Sequence, residues 1–118
     1  MLMSCEQIGS FTVITVHRSR IDAVIAGNFK EQGRDLIVAA GQDCLMDLSK
    51  VSFMDSSGVG ALVGLLKIAG TDYRLELCSL TPAVRNIMKL TRLDQVFRIS
   101  PSVDEALRAE GLSRPGAA

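Results

Sequence analysis

The sequence predicts an α/β domain, built as a mixed β-sheet with about four helices in the order β-β-α-β-α-β-α-β-α. Five consecutive β-branched residues, 12–16, suit a strand and would crowd a helix. Farther along, stripes of apolar residues at helical spacing alternate with short apolar runs, a pattern typical of parallel strands joined by helices. The length of 118 residues favours a single domain. We place that domain at 1–112 and expect a disordered tail over 113–118, which has little to bury.

The first half begins with a hairpin. A strand over 2–8 precedes the strand over 12–16, with a Gly-Ser turn between them. A helix follows, because apolar residues keep to one face at spacings of four and seven; Asp22 lies near its start as a cap, and Gly41 can end it. A short apolar strand over 44–48 comes next. The residues on the apolar face of the helix are Ile21, Ile25, Phe29, Leu36 and Ala40.

The second helix is predicted to open at Ser56 and to end at Gly70. Its apolar residues recur at i, i+3, i+4 and i+7, and Lys67 falls in the last turn, where a cation suits the helix dipole. The next segment, 73–78, alternates apolar and polar residues, which favours a strand with one buried and one exposed face. The apolar stripe of the helix consists of Val59, Leu62, Val63 and Leu66.

Three shorter elements complete the predicted order. Thr81 followed by a proline favours the start of a third helix, because proline suits the first helical turn. The segment 96–99 fits a last short strand. Ser102 and Glu105 have the spacing of a capping box, which predicts a final helix.

Composition narrows the possible partners and the compartment. The 13 basic and 13 acidic side chains cancel to a formal net charge of zero, which leaves no broad basic footprint for nucleic acid or an anionic membrane. Cys5, Cys44 and Cys78 are odd in number and far apart, so we expect reduced, mostly buried thiols and no metal site with His17. The first residues lack the basic and apolar regions of an export signal, and no apolar run approaches the ~20 residues of a membrane span. We therefore expect a cytoplasmic protein without a cofactor.

The residues that can carry chemistry concentrate in the segment 47–60, which follows a strand and opens the second helix. Asp55, Ser56 and Ser57 fall at the helix start, where unpaired N–H groups and the helix dipole favour negative charge. Gly58 beside them lets another group approach the backbone closely. One interpretation is capping, in which the aspartate or the first serine satisfies the first turn and the glycine allows close packing.

Two other interpretations stay open at this helix start. Glycines at 58, 60 and 64 form a pattern one residue off the dinucleotide-binding fingerprint, without a Walker lysine. Alternatively, a serine is phosphorylated, which adds about two negative charges and three acceptor oxygens. Serine catalysis needs a base within reach. The single histidine, His17, is expected as a strand-end residue facing solvent or a loop, so we do not predict a hydrolase.

The segment Asp-Leu-Ser-Lys-Val-Ser-Phe-Met-Asp-Ser-Ser-Gly-Val-Gly-Ala-Leu, which begins at Asp47, resembles the signature of the STAS domain in bacterial anti-sigma factor antagonists. The length, the predicted order of elements and the segment 79–85 are similar to that family as well. The family's phosphorylated serine is the first after the Met-Asp pair, which here is Ser56, with Ser57 as the neighbouring hydroxyl and the runner-up. The family's loop aspartate corresponds to Asp22.

The resemblance implies a partner switch rather than an enzyme. The unphosphorylated antagonist binds an anti-sigma factor that is also a serine kinase of the histidine-kinase-like ATPase type, and a sigma factor is released. Phosphorylation breaks the complex and a PP2C-type phosphatase restores it. A phosphate in the contact surface would meet carboxylates as like charges. The residues expected at the partner surface are Asp22, Met54, Asp55, Ser56, Ser57, Gly58 and Val59.

Two related roles also stay open. The chain could be a STAS module in another phospho-regulated switch, in stress or chemosensory signalling, or an unphosphorylated STAS subunit of a transport system; the intact Asp-Ser-Ser-Gly favours the switches. One departure from the family is Ser19, where a glycine is usual. Arg18 and Arg20 flank it and add positive charge beside the site. That charge could stabilise a phosphate, complement an acidic partner or belong to solvated turn residues.

Overall fold

Seven strands and four α-helices follow one another along residues 1–116, the part of the chain that the computed structural model describes. A 3₁₀ turn at Leu93–Gln95 lies between the third helix and the last strand. The elements are β1 (Met3–Ile8), β2 (Phe11–Val16), β3 (Arg20–Ile21), α1 (Ala26–Ala40), β4 (Asp43–Asp47), β5 (Phe53–Met54), α2 (Ser56–Ala69), β6 (Leu75–Cys78), α3 (Pro82–Leu90), β7 (Ile99–Ser100) and α4 (Val103–Ala109).

The main sheet has the strand order β1-β2-β4-β6-β7. β1 and β2 pair antiparallel as the predicted hairpin, and the other three pairs are parallel, as expected where the chain crosses back through a helix. β3 and β5 pair with each other as a separate two-stranded parallel sheet. The predicted fold class, a mixed sheet with four helices, is confirmed.

Apolar side chains are buried on both faces of the main sheet. On β2, Ile14 belongs to the large cluster packed with α1, α2 and α3, while Val13 belongs to a smaller cluster with α4. On β4, Met46 and Leu45 divide between the two clusters in the same way, because successive side chains of a strand point to opposite faces. Covering both faces explains why these central strands read as nearly continuous apolar runs.

The first helix begins later than predicted. α1 opens at Ala26, so the assignment of Ile21 to its apolar face is wrong: Ile21 lies on β3 and is fully buried. Asp22 does not cap the helix with its side chain, because its Oδ1 accepts a 3.1 Å hydrogen bond from the N–H of Val24 in the preceding turn. Pairing of β3 with β5, distant in sequence, decides this boundary. Gly41 ends the helix at φ 59°, as predicted.

The inward face of α2 includes Leu62, Val59 and Leu66 of the predicted stripe but also residues that the stripe left out. Leu62 is buried as predicted, but Leu65 and several small residues occupy the interface, while Val63 and Leu66 are half-buried. The small residues let the two helices approach closely. A Cβ added to Gly33 of α1 would lie 2.8 Å from Leu65 Cδ1, closer than packed carbon atoms tolerate. Apolar periodicity weights large side chains and therefore overlooked the small residues of this face.

β6 is buried on both faces. The alternation over 73–78 predicts one exposed face, but all four residues of Leu75–Cys78 are buried. The strand lies between β4 and β7, and α4 packs in the same cluster as Cys78 on the face that would otherwise meet solvent. The last strand begins at Ile99 rather than at residue 96, because the 3₁₀ turn occupies the preceding segment.

A charge cluster lies at the edge where β4 and β6 begin. Glu76 is 3% exposed and contacts Arg74 Nη1 at 3.1 Å and Arg98 Nε at 3.9 Å. The contact with Arg74 is ionic, since Glu76 Oε2 lacks hydrogen-bond geometry to any donor within residues 1–116. Arg74 is shared with Asp43 at 3.1 Å and Glu110 at 3.0 Å. Burial raises the pKa of Glu76 more than the two arginines lower it, so ionised Glu76 is costly to the folded state.

The cysteines are free, and two of the three are buried, as predicted. Burial raises the pKa of the Cys44 and Cys78 thiols to about 11 and about 12 respectively. Cys5 is exposed on β1.

Other predictions concern the tail, metal ions and membranes. Residues 113–116 contain no helix or strand, and the last two residues of the predicted tail lie outside the described residues. Nowhere in 1–116 do three His, Cys, Asp or Glu side chains gather closely enough to hold a metal ion. Within the same residues, no helix combines the length and the apolar character required to cross a bilayer.

Candidate functional site

The short β3–β5 pair positions the start of α2. Ile21 of β3 lies opposite Met54 of β5, and the N–H of Asp55 donates to the Ile21 carbonyl oxygen at 3.4 Å. Both Ile21 and Met54 are buried, which anchors the pair to the large core cluster. The first residue of α2, Ser56, therefore emerges directly from a segment that is fixed on one side by strand pairing and below by packing.

Asp55 is the N-cap of α2 and also ties the neighbouring loop to it. Its Oδ1 accepts hydrogen bonds from the N–H groups of Ser57 at 2.9 Å and Gly58 at 3.1 Å. Its Oδ2 accepts a third, from the N–H of Ala23 at 3.2 Å. A carboxylate at this place also suits the helix dipole. The capping interpretation is thus confirmed for Asp55, and the same side chain fixes the loop before α1.

The two serines differ in exposure. Ser56 is exposed, and within residues 1–116 its hydroxyl forms no hydrogen bond, whereas Ser57 is half-buried. The sequence placed both at the helix start without distinguishing them by physics. Exposure makes the Ser56 hydroxyl the more accessible of the two for an incoming enzyme.

The arrangement leaves little room for a nucleotide phosphate. The N–H groups of Ser57 and Gly58 are taken by the Asp55 carboxylate, and that of Val59 donates to the Asp55 carbonyl oxygen. A phosphate would need those donors. The glycine of this turn has a packing role instead, because a Cβ at Gly58 would overlap the carbonyl oxygen of Ile21 and lie 2.7 Å from Met54 Cγ.

The single histidine, His17, pairs with Ser4 rather than with a serine of the helix start. His17 Nε2 lies 2.7 Å from Ser4 Oγ, and Nδ1 lies 3.0 Å from Lys50 Nζ. Because a lysine ammonium can only donate, Nδ1 accepts and Nε2 carries the proton. Within the described chain neither Ser56 nor Ser57 hydrogen-bonds to a histidine, so the start of α2 holds no serine activated by a histidine base.

The loop that contains Asp22 forms the other side of the site. Besides its bond to the N–H of Val24, Asp22 pairs through Oδ2 with Arg20 Nε at 3.5 Å. The Arg20 guanidinium lies 4.0 Å from the centre of the Phe53 ring, stacked across the β3–β5 pair. Val24 at the loop tip is 86% exposed. The sequence placed Arg20 beside the site but missed Val24 and Phe53, although an apolar residue in a polar turn is a signal for the first.

The remaining predicted partner contacts lie beneath the surface or at its flank. Met54 is 5% exposed and belongs to the core, and Gly58 is buried against β3. Val59 is half-buried and packs against the core cluster. The structure thus brings Asp22, Met54, Asp55, Ser56, Ser57, Gly58 and Val59 together at one helix start.

Ser19, which replaces the usual family glycine, is accommodated without strain. Its carbonyl oxygen accepts from the N–H groups of Ser52 at 2.8 Å and Phe53 at 3.1 Å, and from Ser52 Oγ at 3.1 Å. Ser79 and Arg92 are the non-glycine residues with positive φ in the described chain. Since Ser19 is not one of them, the turn does not require the conformational freedom of glycine.

Comparisons with known proteins agree with this architecture. The model of the STAS domain family matches residues 3–106. An anti-sigma factor antagonist from Mycobacterium paratuberculosis is 30% identical, with a TM-score of 0.79 over 91% of each chain. An anti-sigma-factor antagonist (STAS) domain protein from Planctomyces limnophilus is 26% identical, with a TM-score of 0.77 over 92% of this chain and 97% of that one.

A third structure shares the fold. The Bacillus cell fate determinant SpoIIAA, solved in its phosphorylated form, is 20% identical, with a TM-score of 0.65 over 92% of this chain and 98% of that one. The family match spans nearly the whole chain, and the identity with the mycobacterial antagonist extends over nine-tenths of it. The chain therefore belongs to the STAS-domain family of anti-sigma factor antagonists.

Proposed function

We propose that this protein is an anti-sigma factor antagonist controlled by phosphorylation of Ser56. Unphosphorylated, it binds an anti-sigma factor that is also a serine kinase of the histidine-kinase-like ATPase type, and a sigma factor is released. Phosphorylation ends the complex, and a PP2C-type phosphatase restores it. The chain is then a substrate and a binding module rather than an enzyme, and it acts in the cytoplasm, where transcription takes place.

The exposed hydroxyl of Ser56 on a firmly held helix start carries this proposal. Asp55 satisfies the next two amides of the helix and holds the neighbouring loop, so the main chain around Ser56 is fixed while its side chain is free. A kinase can reach such a hydroxyl without unfolding the helix. Ser57, half-buried, is the runner-up.

The electrostatics favour a change in binding rather than in fold. A phosphate at Ser56 adds about two negative charges, and the helix dipole offsets this by roughly 0.3–1 kcal/mol within the chain. In a contact formed with a neutral hydroxyl, the same group would be desolvated next to the Asp55 carboxylate, where like charges cost several kcal/mol. The second term is larger, so phosphorylation should dissociate a partner and leave the domain folded.

The proposed partner surface combines Ser56 with the loop that Asp55 holds. Val24, highly exposed at the tip of that loop, is the apolar side chain best placed to contact a partner, and Val59 offers its half-buried side chain at the flank. Met54 and Gly58 support this surface from beneath, because a buried side chain and a buried main chain fix the loop and the helix start.

The test combines phosphate mapping with binding. The purified protein is incubated with ATP and each anti-sigma serine kinase encoded in the same genome, and the modified residue is mapped by mass spectrometry. We expect phosphate on Ser56 in the parent and in the matched control Ser57→Ala. Ser56→Ala should stay unmodified and bind the kinase constitutively, and Ser56→Asp should bind at least about tenfold more weakly, equivalent to about 1.4 kcal/mol.

Several outcomes would contradict the proposal. Absence of phosphate with every such kinase would exclude the switch, and modification confined to Ser57 would move it to the neighbouring hydroxyl. Equal binding by the parent, Ser56→Ala and Ser56→Asp would show that charge at this position does not control the complex. Phosphorylation of Ser56 by a kinase that binds no sigma factor would instead indicate a related switch in stress or chemosensory signalling.

A further inference from the structure

Three cationic side chains lie along the sheet edge from which α2 emerges. Arg18 follows β2 and Lys50 follows β4, and because these strands are parallel, both lie at the same edge of the sheet. Arg20 on β3 lies opposite Phe53 on β5, three residues before Ser56, so the Cα atoms of Phe53 and Ser56 are at most about 11 Å apart. We call Arg18, Arg20 and Lys50 the basic rim.

The rim is held mainly by neutral groups. Lys50 Nζ lies 3.0 Å from His17 Nδ1, and Arg18 Nη1 donates to the His17 carbonyl oxygen at 2.9 Å. Neither Arg18 nor Lys50 pairs with a carboxylate anywhere in residues 1–116. Their charges are therefore not cancelled by direct ion pairs, although both side chains are positioned.

Arg20 is positioned more firmly. Its Nε is 3.5 Å from Asp22 Oδ2, and its guanidinium stacks at 4.0 Å over the Phe53 ring. The side chain is still 59% exposed, and its two Nη groups donate no hydrogen bond within the described residues. A guanidinium fixed in this way loses less conformational entropy when it binds a carboxylate, since its geometry is already selected.

We propose that the basic rim docks an acidic surface of the protein partner that binds at Ser56. This inference rests on the proposed function and specifies the chemistry of the partner: carboxylates facing the rim. The carboxylates of the site itself are engaged, Asp55 with three N–H groups and Asp22 with Arg20 and the N–H of Val24. These carboxylates keep their charge, but Asp22, Asp55 and the nearby Asp47 are half-buried, whereas Arg18, Arg20 and Lys50 are exposed. A partner that approaches this edge therefore meets the cations first, although the whole chain is neutral.

The test is the salt dependence of the association rate with the cognate anti-sigma kinase, measured by surface plasmon resonance or stopped flow. At ~0.01 M ionic strength, where the Debye length is about 30 Å, Arg18→Glu/Lys50→Glu should associate at least about tenfold more slowly than the parent. At ~1 M salt, where that length is about 3 Å, the two rates should converge. The neutral variant Arg18→Gln/Lys50→Gln should fall between them.

A matched control separates local from overall charge. Lys67→Glu/Arg108→Glu changes the net charge equally, but both residues are in the last turns of their helices, and Lys67 is about 16 Å along α2 from Ser56. Its association rate should exceed that of the rim variant at low salt. Circular dichroism and a parent-like urea midpoint establish that each variant is folded.

Three results would overturn the inference. Parent-like association of the rim variant at low salt would show that the rim does not face the partner, and equal slowing by the control would reduce the effect to net charge. If the rim variant altered only the properties of the phosphorylated protein, the rim would serve the phosphate on Ser56 instead. Failure of every host anti-sigma kinase to bind the parent would refute the proposed function itself, which is a distinct outcome.

Discussion

Replacing Asp55 tests whether one carboxylate assembles the site. Asp55→Ala removes three hydrogen bonds that the carboxylate accepts: two from the N–H groups of Ser57 and Gly58 at the start of α2, and one from the N–H of Ala23. Losing the cap costs about 1–2 kcal/mol. Losing the hydrogen bond from the Ala23 N–H to this charged acceptor adds about 1 kcal/mol. The cost is low for a bond to a charged group, because Ala23 is exposed and its amide can hydrogen-bond to water instead. We expect the free energy of unfolding to fall by about 2–3 kcal/mol.

Two further variants calibrate this magnitude. Asp55→Asn keeps one acceptor oxygen, so it should lose less than Asp55→Ala. Ser102→Ala at the start of α4 removes a cap with one side-chain bond, from the N–H of Glu105 at 3.1 Å, and should cost about 1 kcal/mol. Asp72→Ala is the neutral control, since this exposed aspartate accepts no hydrogen bond and forms no ion pair within residues 1–116.

The assay is equilibrium urea unfolding, followed by circular dichroism, with hydrogen exchange to localise the change. In Asp55→Ala the amides of Ala23, Ser57 and Gly58 should lose protection, while those of the central strands should follow global stability alone. A loss below about 0.5 kcal/mol, or equal exchange at Ala23 in parent and variant, would refute the role of Asp55 in joining loop and helix.

Three other predictions follow from the packing and the buried charges. Gly58→Ala should destabilise the fold by about 2 kcal/mol or more in urea unfolding, because the added Cβ overlaps the main chain of Ile21. Gly60→Ala, on the open side of α2, should stabilise it by up to about 1 kcal/mol. A change in unfolding free energy of the same sign for both variants would contradict the packing assigned to Gly58. Because the pKa of Glu76 is raised in the folded state, its contribution to stability is present below pH 4.5 and is lost as pH rises through the folded pKa. The stability of Glu76→Gln relative to the parent should therefore increase between pH 4 and pH 7, and a flat or opposite trend in urea titrations would contradict this. Cys5 should react with iodoacetamide in the native protein, while Cys44, buried with a pKa of about 11, should react only on unfolding. The labelled residues are identified by mass spectrometry, and equal labelling of both cysteines in the native protein would contradict the burial of Cys44.

A capped helix start at Asp55 and Ser56 could be predicted from the sequence because capping is local. Asp55 satisfies amides two and three residues farther along, so its role depends on a short stretch of chain. The same holds for Gly41, whose positive φ ends α1 as predicted. Motif and periodicity together also identified the fold class and the position of Ser56.

Features that depend on distant contacts escaped prediction. Ile21 carries helical periodicity, yet its main chain pairs with Met54, and the strand that results shortens α1. Glu76 belongs to an alternating segment for which one exposed face was predicted, but β6 lies between β4 and β7 and Glu76 is 3% exposed. Met54 and the strands that flank β6 lie outside the short window of sequence from which hydrophobic periodicity is determined.

The sequence by itself determined the mixed α/β fold and the position of Asp55, Ser56 and Ser57 at a helix start, because local hydrogen bonding and chain periodicity suffice for these. That Asp55 forms the cap and that Ser56 is the more exposed serine became known only from the structure. The tertiary structure decided which groups surround that serine. The β3–β5 pair, the stacking of Arg20 on Phe53 and the anchoring of the loop through Ala23 join residues about thirty positions apart. Such contacts form where packing brings segments together, so their chemistry becomes visible only in the folded chain.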